Sequence, residues 1–229
     1  ERVDGADEAR PALTARPRPA VVPLSFAQYR LWFLHRMEGP GATYNIPMSL
    51  RLTGSLDTAA LRAALADVVA RHEALRTVYP ERGGVPRQQV LDPVAPAFET
   101  VPTTPGRLEE DLTRAARRGF DLAGELPLRA VLFELGEREH VLLLLMHHIA
   151  GDGWSWPPLA RDLGDAYAAR REGRAPGFAP QLMETPAGPA LAALLNVVSA
   201  APAVSSELPG VKTMVASYRK KYPDSPVDS

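Results

Sequence analysis

Residues 140–155 read HVLLLLMHHIAGDGWS, in which six apolar residues precede two histidines and a polar loop that contains two glycines. The apolar residues occupy both faces of an extended chain, which is typical of a strand covered on both sides. A second strand is predicted at residues 128–135, and the sequence GERE between the two favours a hairpin turn. Because a hairpin pairs its strands antiparallel, we expect a mixed sheet with the 140–146 strand at its centre.

Further elements surround this hairpin along the chain. Apolar and polar residues alternate from Ile46 to Leu52, as in a half-buried strand. Ser25, Asp57 and Ser155 are suited to cap the starts of helices. The fold class expected from this mixture is α/β (α+β), a two-layer mixed sheet with packed helices. The predicted helices cover residues 26–37, with apolar Phe26, Tyr29, Phe33 and Met37 at helical spacing, residues 58–75, residues 107–118 and residues 155–171.

The composition excludes several classes of protein. The chain has 229 residues, of which 45% are hydrophobic and 23% charged, as in ordinary globular proteins. Its 26 basic and 27 acidic residues nearly balance, so we expect neither nucleic acid nor a membrane as a partner. The absence of cysteine excludes disulfides, thiol nucleophiles and cysteine-based metal sites. With no apolar run of about 18 residues and no signal-peptide core, a cytoplasmic location is expected.

Two histidines close the buried strand, and an aspartate flanked by glycines follows within five residues. Strand ends that lead into loops often display functional side chains. Adjacent side chains of a strand point to opposite faces, so His147 and His148 are not expected to share one cavity. This geometry disfavours a metal site, and no metal is predicted. That the two histidines are simply hydrogen-bonded at the edge of a core stays open at this point.

Residues 147–153, HHIAGDG, match the HHxxxDG motif of the condensation domains of nonribosomal peptide synthetases. Residues 23–34, PLSFAQYRLWFL, resemble the first motif of these domains, SxAQxRLWxL, and residues 71–77, RHEALRT, resemble the second. The resemblance covers residues 21–181, and residues 120–129 resemble the segment before the family's hairpin. It implies one half of a chloramphenicol-acetyltransferase-like fold. The HHxxxDG motif alone also fits CoA-dependent acyltransferases of the same superfamily.

The resemblance implies amide (peptide) bond formation between thioesters in nonribosomal peptide synthesis. The implied partners are donor and acceptor peptidyl carrier proteins, which carry the substrates on phosphopantetheine, and no cofactor is bound directly. His148 falls on the family histidine that takes the proton of the amine or positions the amine. His147 is implied to be supportive. Gly153 permits a close backbone approach, and its N–H is a candidate donor to the oxyanion.

The remaining candidate site residues are expected to be structural. The resemblance implies that Asp152 pairs with an arginine of the RHEALRT stretch, with Arg71 as the first choice and Arg76 as the second. Other singled-out residues are expected to have structural or surface positions: His72 on the apolar stripe of its helix, Trp154 packed against the domain, and His35 and His140 at the surface.

A full condensation domain has two halves of similar fold with the site in the cleft between them, and this chain resembles the first half. Residues 1–20 are expected to form a flexible N-terminal arm, residues 21–181 the N-terminal subdomain, and residues 182–229 an unassigned segment unlike the family. The remaining C-terminal half is therefore an expected partner. Three functions stay open: the histidine-bearing half of an amide-forming enzyme, inactive by itself; a catalytically incomplete half that binds carrier proteins or has a structural role; and a CoA-dependent acyltransferase.

Overall fold

A computed structural model describes residues 19–178 of the chain, so the predicted arm and the unassigned C-terminal segment lie almost entirely outside the described residues. The elements within this range are α1 (Phe26–Glu38), β1 (Asn45–Thr53), α2 (Thr58–Arg71), β2 (Thr77–Val78), β3 (Glu81–Arg82), β4 (Val85–Pro86), β5 (Gln89–Val90), β6 (Ala97–Pro102), α3 (Leu108–Ala116), β7 (Leu128–Gly136), β8 (Glu139–His147) and α4 (Trp156–Arg171). Short 3₁₀ turns occupy Glu73–Arg76 and Gly153–Ser155.

The principal sheet has four strands in the order β1-β8-β7-β6. Strands β7 and β8 form the predicted antiparallel hairpin, β1 pairs antiparallel with β8, and β6 runs parallel to β7. The mixed sheet and the central place of the 140–146 strand are therefore confirmed. Asn45 lies opposite His147 in the register, so the β1 end nearest to α1 borders the histidine pair.

Helices cover both faces of this sheet. Leu142, Leu144 and Met146 of β8 belong to the core beneath α2 and α4, whereas Leu143 and Leu145 belong to the core beneath α1 and α3. The expected mixed sheet with packed helices is confirmed, and the helices cover β8 on both faces, as its two-sided apolar run predicts. Because full burial of a leucine contributes about 1.5–3 kcal/mol, β8 is a major source of stability for the domain.

Helix α1 has the predicted ends but presents an unexpected face to solvent. Ser25 caps its first turn in a reciprocal pair with Gln28, and Gly39, with φ of 80°, ends it. Its buried residue is Trp32, and the partly buried Leu31 packs against the same core. The apolar positions that first indicated the helix are exposed instead: Phe26 (99%), Tyr29 (50%), Phe33 (48%) and Met37 (70%). Between residues 19 and 178, no helix is long and apolar enough to cross a membrane.

Candidate active site at the end of strand β8

The two histidines at the end of β8 point to different environments, as the strand geometry predicts. His147 is only 1% exposed and lies among the rings of His35, Tyr44 and Phe120, with centroid separations of 5.9, 6.2 and 5.9 Å. His148 is partly exposed. His147 is thus a core residue, and His148 is the histidine of this pair that a substrate can reach.

Hydrogen bonds fix a different tautomer for each ring. The Nδ1 atom of His147 accepts the N–H of Ile149 at 3.1 Å, so its proton resides on Nε2. The Nδ1 atom of His148 lies 2.8 Å from the carbonyl oxygen of Gly151, which can only accept, so Nδ1 carries the proton. The Nε2 atom of neutral His148 therefore has a free lone pair, which is the arrangement that a general base requires.

Burial lowers the pKa of His147 to about 3, with smaller contributions from the nearby charges of His35 and His148. His147 consequently stays neutral near pH 7 and does not supply a cation to the site. The pKa of His35 is also lowered, mainly by burial and against the opposing charge of Asp121. The expectation that His35 is a surface group is wrong, because this ring packs against His147.

The depressed pKa of His147 predicts a domain that is unstable in acid. Unfolded His147 binds a proton below about pH 6.5 and the folded residue does not, so its contribution to stability is full above pH 6.5 and is lost as the pH falls toward 3. This linkage lowers the free energy of unfolding by about 2 kcal/mol between pH 7 and pH 5. Urea titrations should show that His147→Asn flattens this dependence, whereas an unchanged slope in the variant would contradict the assignment.

The loop after the histidines is held by its own side chains. Asp152 Oδ1 accepts the backbone N–H groups of Trp154 at 3.0 Å and Ser155 at 3.1 Å, and the Ser155 hydroxyl at 3.0 Å. Asp152 is exposed and caps this turn, so the expected pair with Arg71 or Arg76 is wrong. A short polar side chain satisfies nearby backbone groups more readily than a distant partner does.

The carboxylate at Arg71 belongs to α4. Asp162, only 6% exposed, has Oδ2 at 2.8 Å from Arg71 Nε and at 2.7 Å from His72 Nε2. The contact with Arg71 lacks hydrogen-bond alignment and is an ion pair. Asp162 was missed in the sequence, although an aspartate between Leu159 and Leu163 on a buried helix face is a visible signal. His72 is thus a part-buried structural residue, as expected.

Arg76 has a structural environment of its own. Its guanidinium donates to the backbone carbonyls of Ala70 and Leu91 and to the carboxylate of Glu73. These bonds join the end of α2 to the strand segment at β5. Arg76 therefore stabilises the backbone between α2 and β5. None of these bonds reaches the histidine loop, residues 147–155.

The glycine that the loop geometry requires is Gly151. A Cβ atom at this position would lie 2.8 Å from Ser155 Oγ and 3.0 Å from Met146 Cε, so a side chain here would displace the hydroxyl that Asp152 holds. At Gly153 the same position has no heavy atom within 4 Å, so the expected close approach is not made by the described part of the chain. Trp154 is 71% exposed, and the expectation that it packs is wrong. His140, expected at the surface, is buried.

Residues 19–178 contain no group of three or more His, Asp or Glu side chains placed to hold a metal ion. The basic side chain presented at the loop is that of His148, and the surrounding contacts fix its backbone and ring. The arrangement can bind a hydrogen-bond donor and take its proton. The chemistry that this arrangement supports is proton transfer to the imidazole of His148.

Comparison with known proteins identifies the family of this chain. The family model of the condensation domain matches residues 19–181. The chain belongs to the condensation-domain family. The condensation-domain resemblance predicted from the three motifs is thereby confirmed.

Relatives of this condensation-domain chain include nonribosomal peptide synthetases. It is 58% identical over 172 residues to the probable non-canonical nonribosomal peptide synthetase CymA of Salinispora arenicola, covering 75% of this chain and 2% of CymA. It is 53% identical over 180 residues to a dimodular nonribosomal peptide synthase of Bacillus subtilis, covering 78% of this chain and 8% of that protein. The chain therefore spans a small fraction of these relatives.

Superposition on a solved structure confirms the fold. The X-domain from teicoplanin biosynthesis, solved in complex with OxyB, superposes with a TM-score of 0.71 at 37% identity. The match covers 93% of this chain and 42% of the X-domain chain. The condensation-domain chain thus spans less than half of that neighbour, in agreement with the predicted half of a chloramphenicol-acetyltransferase-like fold.

Proposed function

We propose that this chain supplies the histidine-bearing half of a condensation site, which joins a donor acyl thioester to the amine of an acceptor aminoacyl thioester. Both substrates are carried on the phosphopantetheine arms of carrier proteins. The observation that carries the proposal is the bond from His148 Nδ1 to the Gly151 carbonyl, 2.8 Å long, which in the neutral ring leaves the Nε2 lone pair free at a reachable strand end. The family membership supplies the reaction class.

The reaction requires one proton to move. The neutral amine of the acceptor attacks the thioester carbon, a C–N bond forms, and the nitrogen gains positive charge. His148 Nε2 takes a proton from that nitrogen, the C–S bond breaks, and the imidazolium returns the proton to the departing thiolate. General-base help of this kind contributes about 10²–10⁴-fold in rate.

The residues around His148 have supporting roles in this proposal. His147 keeps its ring neutral and holds the Ile149 N–H. Asp152 caps the loop, while Arg71 and Arg76 maintain the frame behind it. We assign the N–H of Gly153 to the oxyanion, since it lies at the exposed start of the 3₁₀ turn.

A second candidate is a binding module that has no turnover. Two observations favour it: the 37% identical X-domain was solved with a bound partner, OxyB, and the apolar stripe of α1 is exposed here. In this alternative the chain docks a carrier protein and leaves the chemistry to another domain. Adding the C-terminal half of a condensation domain distinguishes the two candidate functions, because only the histidine-bearing half of an enzyme would then form amide.

The test is a single-turnover assay with donor and acceptor carrier thioesters, in which the chain is supplied with the C-terminal half of a related condensation domain. We expect an amide product on the acceptor carrier and a loss of about 10²–10⁴-fold with His148→Ala. Carrier binding with no product at any concentration of the second half would favour the binding module. Equal turnover with CoA thioesters would favour the CoA-dependent acyltransferase.

A further inference from the structure

Tyr79 links the histidine loop to the core from behind. It directly follows β2, is 1% exposed, and packs in the core beneath α1 and α3. Its hydroxyl donates to the carbonyl oxygen of Ile149 at 3.3 Å. This contact joins residues 70 positions apart, and its acceptor residue, Ile149, directly follows His148 in the chain.

Gln28 of α1 sets the direction of the Tyr79 hydroxyl. The side-chain oxygen of Gln28 accepts the N–H of Ser25 at 2.9 Å, which identifies the opposite end of the amide as nitrogen. That nitrogen donates to the Tyr79 oxygen at 3.4 Å. The Tyr79 oxygen therefore accepts from Gln28, and its own proton is directed to the Ile149 carbonyl. Burial raises the pKa of Tyr79 to about 12, so the hydroxyl keeps this proton.

The contact at Ile149 completes a set of bonds that fixes the backbone around His148. The N–H of His148 donates to the Tyr44 carbonyl at 2.8 Å, and the N–H of Ile149 donates to His147 Nδ1 at 3.1 Å. The Tyr79 hydroxyl then holds the carbonyl of Ile149 on the following peptide. With these groups held, the His148 ring reaches the Gly151 carbonyl across a loop of three residues.

We propose that Tyr79, oriented by Gln28, is a positioning residue that fixes the loop of His148 and thereby keeps the proton of that ring on Nδ1. The proposal rests on the proposed function in so far as it names His148 as the base. Tyr79 does not face the substrate and acts through the Ile149 peptide. Without its hydroxyl, the bond between His148 and Gly151 is less often formed, and Nε2 is less often free to accept a proton.

The first test is Tyr79→Phe in the full chain, since phenylalanine keeps the buried ring and removes only the hydroxyl. We expect the amides of Ile149 and Ala150 to exchange about three- to tenfold faster, the factor for one neutral hydrogen bond. In ¹⁵N NMR spectra, His148 should change from the Nδ1–H form to a mixture of tautomers. Tyr167→Phe is the matched control, because it also removes one hydrogen bond of a buried tyrosine, with Asp57, away from the loop.

The second test is Gln28→Glu, which retains an oxygen to accept the Ser25 N–H and replaces the amide nitrogen by a second acceptor. The Tyr79 proton is then drawn toward residue 28 and away from Ile149. We expect this variant to reproduce the exchange and tautomer changes of Tyr79→Phe. In the complemented condensation assay, both variants should lower the rate about three- to tenfold, with no change in Tyr167→Phe.

An unchanged His148 tautomer and unchanged loop exchange in both variants would overturn the positioning role. Equal changes at His148 in the Tyr167→Phe control would also overturn it, because the effect would then be a general loss of stability. The NMR and exchange readouts need no turnover. If the wild-type chain forms no amide even with the C-terminal half added, while Tyr79→Phe shows the expected tautomer change, the proposed function is contradicted and the role of Tyr79 is supported.

Discussion

Donor and acceptor carrier thioesters incubated with this chain alone will give no measurable amide. His148 lies at a partly exposed strand end, and the described residues span less than half of the X-domain neighbour. Positioning of two reactants contributes about 7–11 kcal/mol to such reactions, whereas a base contributes only about 10²–10⁴-fold. Without the second half of the domain, the site lacks the positioning of the two reactants, which is the larger of these two contributions.

The measurement is a single-turnover time course followed by mass spectrometry of the acceptor carrier. Addition of a C-terminal half in trans should produce amide in a concentration-dependent manner. Turnover by the chain alone at the complemented rate would mean that residues outside 19–178 build the second wall, and the half-site proposal would be wrong.

Asp162→Asn will lower the free energy of unfolding by about 3 kcal/mol. The substitution keeps the size of the side chain but removes the buried carboxylate charge that pairs with Arg71, and breaking such a buried pair costs about 3–5 kcal/mol. We expect the lower end of this range because the Arg71 side chain retains 15% exposure. The loss should appear in urea unfolding as a lower midpoint with an unchanged slope.

Asp165→Asn is the matched control, since it makes the same change at an exposed position of the same helix. It should alter the unfolding free energy by less than about 0.5 kcal/mol. Asp152→Asn should have an intermediate effect of about 1 kcal/mol, because it weakens a cap and not a buried pair. If Asp152→Asn lowers the free energy of unfolding more than Asp162→Asn does, the result would contradict this account and favour the predicted pair of Asp152 with Arg71 or Arg76.

The apolar run in β8 made the centre of the fold predictable. A strand with apolar side chains on both faces requires cover on both faces, and the turn residues before it required a hairpin. The same geometry predicted that His147 and His148 face different environments. Periodicity in α1 identified a helix but not the side that meets the core, because Trp32 on another face provides that contact.

Partners distant in sequence could not be predicted in the same way. Asp152 has acceptor atoms that suit either a remote arginine or the next two peptide groups, and the local bonds form here. The fold also buries His140 and partly buries His35, and neither residue has a periodic context of its own. Tyr79 follows the RHEALRT stretch as one more apolar residue, and its hydroxyl acquires a role only once Ile149 lies beside it.

The most direct test of the central claim is the single-turnover rate constant of the complemented chain with His148→Asn. The asparagine amide nitrogen takes the place of Nδ1 as an N–H donor for the Gly151 carbonyl and is not basic, so this variant separates proton transfer from positioning. If Nε2 of His148 takes the proton of the amine, the rate will fall by about 10²-fold or more while carrier binding is unchanged. A His148→Asn rate equal to that of the wild type would contradict a base role for this histidine.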